Sequence, residues 1–217
     1  MCGAIGRVID NPFVKALMDL LNIKFQTETD YNIRPNARIP IAIGKQGKPV
    51  GVEASWWLFQ TMTENGFSYD KRYRSFNTRK EKLFTNRKYE FAHQRCVIPA
   101  SFFYEWNGKR FKIEPTDSAI AFGGIYRMWP VKNESKHYSC SIITLPAHRK
   151  FIHIHDNSFP LMLLPEEITP WLDDGFHDIN YWQDTLKTKI RFDLKVTPVD
   201  KKNPIFAVGK SQIIYAD

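Results

Sequence analysis

Cysteine is scarce in this 217-residue chain. Only Cys2, Cys96 and Cys140 occur, and no two of them form a CxxC pair. A zinc ribbon and a disulfide framework are therefore not indicated, and a reducing cytoplasm is the compartment expected. Long apolar runs are missing too: no window approaches the roughly 18 residues that a membrane span requires. The first residues lack the charged-then-apolar pattern of a secretory leader. There is no internal repeat and no low-complexity linker. The six histidines are scattered, apart from His153 and His155, so neither a metal-ligand cluster nor a cofactor is expected. Nothing in the pattern signals oligomerisation, and a monomer is expected. With 43% hydrophobic and 25% charged residues the composition is that of an ordinary globular protein, and the length suits one domain over residues 1–217.

Acidic residues are in deficit. Thirty-one Lys and Arg against 23 Asp and Glu leave a net charge of +8, which suits a polyanionic partner such as nucleic acid. The placement of the charge says more than its sum. Between Tyr69 and Lys80, the cations Lys71, Arg72, Arg74, Arg79 and Lys80 alternate with the rings of Tyr69, Tyr73 and Phe76. Cations of this kind meet phosphates, and rings stack on exposed bases.

Asn11-Pro12 followed by Phe13, Leu17, Leu20 and Leu21 predicts a capped amphipathic helix, with Asn at the N-cap and Pro at the first helical position. Arg38 to Ile43 and Pro49 to Phe59 read as strands, as do Arg95–Pro99, Arg110–Ile113, Ala119–Tyr126, Tyr138–Thr144 and Leu194–Val199. Lys80 to Phe91 reads as a short basic helix. Pro165-Glu166-Glu167 opens another, with Trp171 and Leu172 on its apolar face, and Asp178 to Leu186 suggests a third. Strands fill the middle and helices the ends. The expected fold is α+β: a curved, mostly antiparallel, barrel-like sheet with flanking helices.

The chain begins Met1-Cys2-Gly3-Ala4. Removal of Met1 would leave Cys2 with a thiol and a free α-amine on neighbouring carbons. An α-amine has a pKa near 8, so part of it is neutral and nucleophilic at cellular pH. Such a 1,2-aminothiol captures an aldehyde first as an imine and then as a five-membered thiazolidine. Alternatively the thiol attacks a carbonyl while the amine serves as base. Other segments carry polar residues in apolar surroundings. Glu105, flanked by Phe102, Phe103, Tyr104 and Trp106, is expected to be desolvated, which raises a carboxyl pKa toward the range useful for proton transfer. His155 follows an apolar stretch and adjoins Asp156, which can orient its ring.

These segments resemble the SRAP family (SOS-response-associated peptidases), proteins that shield abasic sites in single-stranded DNA. The resemblance rests on Met1-Cys2-Gly3, on Tyr31-Asn32-Ile33-Arg34-Pro35, on Asn77-Thr78-Arg79-Lys80-Glu81 and on the run from Arg95 to Trp106. It extends through Ala121 to Tyr126, and through Thr144 and Ala147 to Ile154-His155. Spacing from Ala147 favours His155 over His153 as the family histidine. The sequence also departs from the pattern. Ala4 stands where members often have Arg, leaving that DNA contact missing or supplied by Arg7. Ser101-Phe102 replaces Asp-Gly, which predicts a bulkier approach to Glu105. The segment from His155 to Pro160 is one residue longer than usual and lacks an Arg.

The resemblance implies a covalent crosslink between Cys2 and an abasic sugar in single-stranded DNA, with peptidase chemistry releasing Met1 and lyase-type chemistry at the sugar. It implies catalytic roles for Cys2, Asn77, Glu105 and His155. Arg79, and more weakly Arg34 and Arg74, would contact phosphates, while Trp57, Phe76 and Trp106 would stack on bases. Two other readings remain open. Met1-Cys2-Gly3-Ala4-Ile5-Gly6 also resembles the start of glutamine amidotransferases that use an N-terminal cysteine, although their later motifs are not recognised here. A single-stranded nucleic-acid binder with an incidental Cys2 is the non-enzymatic reading.

Overall fold

Apolar and β-branched runs form sixteen strands among the residues that the computed structural model describes, 3–64, 66–131 and 136–217. In chain order they are β1 (Ile5–Arg7), β2 (Asp30–Ile33), β3 (Arg38–Lys45), β4 (Lys48–Ser55), β5 (Gln60–Thr63), β6 (Gly66–Tyr69), β7 (Asn77–Arg79) and β8 (Arg95–Ala100). There follow β9 (Phe102–Asn107), β10 (Lys109–Pro115), β11 (Ile120–Pro130), β12 (Lys136–Leu145), β13 (Phe159–Pro160), β14 (Met162–Leu163), β15 (Leu194–Val199) and β16 (Gln212–Ile214). Four α-helices join them: α1 (Pro12–Leu20), α2 (Lys80–Leu83), α3 (Lys88–His93) and α4 (Pro165–Trp171).

Strand β12 pairs with β4 on one side and β11 on the other, so the order β12-β4-β3-β8-β11 closes on itself as a barrel. A second sheet runs β16-β15-β10-β9-β1-β2. Among the described residues every pairing is antiparallel except those of β12 with β4 and with β7. Ile39, Ile41, Ile98, Phe122 and Ile142 of the barrel share one core with Ile5, Phe103 and Ile113 of the second sheet. The second sheet thus has an inner face against the barrel and an outer face away from it. The fold is α+β, as expected.

Helix α1 starts as the sequence predicts. The Asn11 side chain accepts from the amides of Phe13 (2.9 Å) and Val14 (3.3 Å), and Pro12 follows. Its buried stripe is Val14, Leu17, Met18 and Leu21, whereas Phe13 and Leu20 are about half exposed. The i, i+3, i+4, i+7 spacing of that stripe fixes which side meets the core.

Three expected elements come out differently. Lys80 to Phe91 is two short helices, not one. The Thr85 hydroxyl donates to the Glu81 and Lys82 carbonyls, and the Arg87 amide returns to Lys82, so the chain turns after a single helical turn. Asp178 to Leu186 holds only a 3-10 turn over Ile179–Gln183, anchored by buried Trp182 against Trp171. The strand expected from Pro49 to Phe59 ends at Ser55, because Trp56 turns fully into the core and its indole N–H donates to the Phe76 carbonyl at 2.8 Å.

Arg95 ties the helical side to the barrel. It is buried, and its guanidinium donates to the carbonyls of Phe91, Ala92, Trp171, Asp173 and Phe176. Burial pushes its pKa down to about 10, so it still carries its charge at neutral pH. Arg95→Met would strand those carbonyls without a donor. An unfolding free energy lower by about 3 kcal/mol or more is expected from urea titration, at 1–3 kcal/mol per unsatisfied buried group.

Candidate active site

Alternation along β9 sets the site. Phe103 joins the core between sheet and barrel, while Phe102 and Tyr104 join a separate cluster with Ala4 and Val199. By the two-residue period of a strand, Glu105 shares the inner face with Phe103. It is only 2% exposed. Strand β1 lies alongside, with Ile5 opposite Phe103 and Gly6 opposite Phe102. The Tyr104 amide donates to the Ala4 carbonyl at 3.0 Å. The start of the described chain therefore runs beside the stretch that carries Glu105. Gly6 permits this approach, since a Cβ there would stand 1.9 Å from the Phe102 ring. Phe102 packs on the outer face, stacked near Tyr31 and edge-on to Tyr104. The bulkier approach to Glu105 expected from Phe102 is thus not found: the ring points away from the carboxyl.

His155 reaches the same carboxyl from the loop after β12. Phe151 and Ile154 are buried and anchor that loop, and the His155 amide donates to the Phe151 carbonyl at 2.7 Å. The His155 ring Nδ1 lies 3.5 Å from Glu105 Oε2. Burial pushes Glu105 up to about 7. Burial lowers His155, opposed in part by a hydrogen bond to the Trp106 backbone. Asp156 is exposed and binds the Asn157 amide at 2.7 Å, so the ring is oriented chiefly by Glu105 and Trp106. His153 points elsewhere: it is exposed, with its Nε2 3.0 Å from the Gln212 amide nitrogen.

Asn77 and Arg79 occupy β7, which lies parallel to β12 with Asn77 opposite Ile142 and Arg79 opposite Thr144. Buried Thr78 between them is fixed by Ser141, hydroxyl to hydroxyl at 2.8 Å. Exposed Arg79 lines a cavity of about 210 Å³ with Thr144, Ala147 and Asn157, so β7 and the His155 loop share one wall. The Trp57 and Phe76 rings lie 5.4 Å apart, with Tyr69 5.0 Å from Trp57. Arg74 is exposed two residues before Phe76. Arg34 points back at the chain start, its Nη1 3.5 Å from the Gly3 carbonyl and its guanidinium 5.2 Å from the Trp106 ring centre.

Cys2 lies outside the described residues. The other two cysteines are buried in the barrel, where desolvation pushes both thiols well up and makes them poor nucleophiles. Arg7 is buried at the far end of β1 and donates to the Glu28 carbonyl, so it does not replace a surface cation at position 4. Among the described residues no group of three or more His, Cys, Asp or Glu side chains is placed to hold a metal ion.

The sequence reading missed Arg110. It is 1% exposed, donates to Asn32 Oδ1 at 2.6 Å, and lies over the rings of Tyr104 (3.9 Å) and Trp106 (5.0 Å). The signal available was an arginine opening an otherwise strand-like run. Chemically, the site offers a carboxylic acid that gains and loses its proton near neutral pH, beside an imidazole that burial keeps mostly neutral. That pairing suits general acid–base transfer next to the chain start.

A family model described as SOS response associated peptidase (SRAP) matches residues 1–203. The abasic site processing protein YoqW of Bacillus subtilis (strain 168) is 30% identical, the match covering 72% of this chain and 72% of that one. The abasic site processing protein YobE of the same strain is 31% identical over 72% of this chain and 74% of its own. A crystal structure of a Bordetella bronchiseptica protein superposes with a TM-score of 0.72 at 14% identity, covering 92% of this chain and all of that one, and shows the same fold.

The Glu105 environment has a measurable cost. The folded chain holds its proton up to about pH 7, whereas an unstructured chain releases it near 4.5. The folded state therefore binds more protons between those values, and stability falls as pH rises through that window. Glu105→Gln removes this dependence. Between pH 5 and pH 8, urea titrations are expected to show the variant gaining about 2 kcal/mol on the native protein. Equal pH slopes in the two proteins would contradict a buried acid.

Proposed function

Since the chain belongs to the SOS response associated peptidase family, we propose that it recognises abasic sites in single-stranded DNA and traps them covalently through Cys2 once Met1 is gone. The observation that carries the proposal is Glu105: an acid titrating near neutrality, 3.5 Å from His155, on the strand paired with the chain's first described residues. The names of the two Bacillus relatives support the choice of lesion. The buried state of Cys96 and Cys140 supports the choice of Cys2 as the reactive thiol.

The chemistry begins with hydrolysis of the Met1–Cys2 peptide bond, one water in and methionine out, which frees the Cys2 amine. The amine adds to the C1′ aldehyde of the ring-opened deoxyribose. The carbonyl oxygen leaves as water after taking two protons from the nitrogen side, giving an imine. The thiol sulfur then bonds to the imine carbon while its proton passes to nitrogen, closing the thiazolidine. Glu105 carries protons in these steps, its pKa matched to the working pH. His155 assists at the sugar hydroxyl. Asn77 holds the Cys2 terminus or the opened sugar by hydrogen bonds.

Arg79, exposed above the cavity it shares with Asn157, binds a backbone phosphate with a bidentate geometry that lysine cannot copy. Arg74 and Arg34 add weaker phosphate contacts. Trp57 and Phe76 stack on bases beside the lesion. Trp106, with the Arg34 and Arg110 guanidiniums 5.2 and 5.0 Å from its ring centre, stacks on or wedges between bases at the lesion.

Two experiments test this reading. Cys2→Ala should abolish the heat-stable adduct with an abasic single strand in a denaturing gel; an adduct that survives in the variant refutes the covalent step. Arg79→Ala should weaken binding to intact and abasic strands alike and make the slope of log K against log salt less steep by about 0.7, the value for one phosphate on a single strand. An unchanged slope removes Arg79 from the phosphate contacts.

A further inference from the structure

A second cavity, of about 290 Å³, opens at the other end of β7 from Arg79. Phe59, Tyr73, Arg74, Asn77, Lys82 and Arg87 are among its walls. Its size is near the lower bound of small-molecule sites, roughly 300 Å³. The charge in it is compensated only in part, with Glu90 acting on Arg87 and Asp70 on Arg72. The acids beside it are engaged, Asp70 by Arg72 at 2.7 Å and Glu90 by Arg127. Among the described residues Arg74, Lys82 and Arg87 have no ion-pair partner. Like charges gathered together repel one another, and an anion entering between them removes that cost.

The aromatic walls divide the work. The Phe59 ring is covered by the guanidiniums of Arg87 (4.3 Å) and Arg127 (4.5 Å), which holds Arg87 in place. Tyr73, 5.2 Å from Phe59, is half exposed; the Arg72 guanidinium lies 5.7 Å from its ring centre, and the rest of the ring surface is offered to an incoming group. Asn77 lines this cavity and stands two residues before Arg79, whose own cavity includes Asn157 of the His155 loop. A strand lying along β7 would reach both cavities.

We propose that this second cavity receives one nucleotide flanking the abasic site, its phosphate among Arg74, Lys82 and Arg87 and its base on Tyr73. The inference rests on the single-stranded DNA reading above and adds Tyr73, Lys82 and Arg87 to it. The shared chemistry, an aromatic base joined to a phosphate ester, belongs to a strand or to a free nucleotide, and the test separates them.

Fluorescence anisotropy with a labelled, undamaged oligo(dT) measures binding by the full chain, by Tyr73→Ala and by Lys82→Gln/Arg87→Gln. Each variant is expected to bind at least about fivefold more weakly, the lower range for losing one stacked base. The double variant should also flatten the salt slope by about 0.7, one phosphate released. Tyr73 is a surface residue, so its variant stays informative if the double variant melts early. Unchanged affinity with Tyr73→Ala, together with an unchanged slope, would overturn the proposal. Displacement of the oligonucleotide by dTMP at equal phosphate concentration would assign the cavity to free nucleotides and overturn the strand assignment. Intact DNA offers no aldehyde, so these outcomes are independent of the adduct at Cys2. Loss of the binding effects with the adduct preserved sinks only the cavity; the reverse sinks only the covalent chemistry.

Discussion

Glu105 stands on the inner face of β9, where water hardly reaches its carboxyl, and the surrounding architecture follows from keeping it there. Desolvation makes ionisation costly, so the group titrates near neutrality instead of near 4.5. The barrel supplies the apolar wall, β1 supplies the neighbouring strand, and the loop after β12 brings His155 to 3.5 Å. A surface carboxylate would lack both the raised pKa and the fixed partner. The fold thus spends stability at one point to keep a proton exchangeable at cellular pH, a common arrangement at functional sites.

Among the described residues, three arginines of the 31 Lys and Arg serve structure and not surface. Arg7, Arg95 and Arg110 are all buried. Arg95 satisfies carbonyls of α3, α4 and the segment beyond, and Arg110 sits on Tyr104 while bonding Asn32. A net charge of +8 therefore does not report the exposed field by itself. Exposed cations are spread along the chain, but between Tyr69 and Lys80 exposed Arg72, Arg74 and Arg79 stand among rings.

Local signals in the sequence carried local structure. The Asn11-Pro12 cap, the β3 and β8 runs and the β15 strand could be read directly, because each depends on neighbours within a few positions. The burial of Glu105 was also legible, but for a reason that needs revision. Phe102, Tyr104 and Trp106 alternate away from it; the shield is the barrel, contributed by residues distant in sequence. The contact of His155 with Glu105 spans fifty residues, and nothing local in Ile154-His155-Asp156 announces it. Asp156 looked like the natural partner and is exposed instead. The break between α2 and α3 was hidden for a similar reason: helical spacing continues across it, while the Thr85 hydroxyl and the Arg87 amide close the first helix.

Covalent capture at the chain start is decided by intact-mass and fragment-ion spectrometry of purified protein mixed with a uracil-containing oligonucleotide pretreated with uracil glycosylase. The expected product is the chain lacking Met1 plus the abasic strand minus one water, with the added mass confined to Cys2. An adduct on a chain that retains Met1, or a modification placed on a lysine, would contradict the aminothiol chemistry proposed for Cys2.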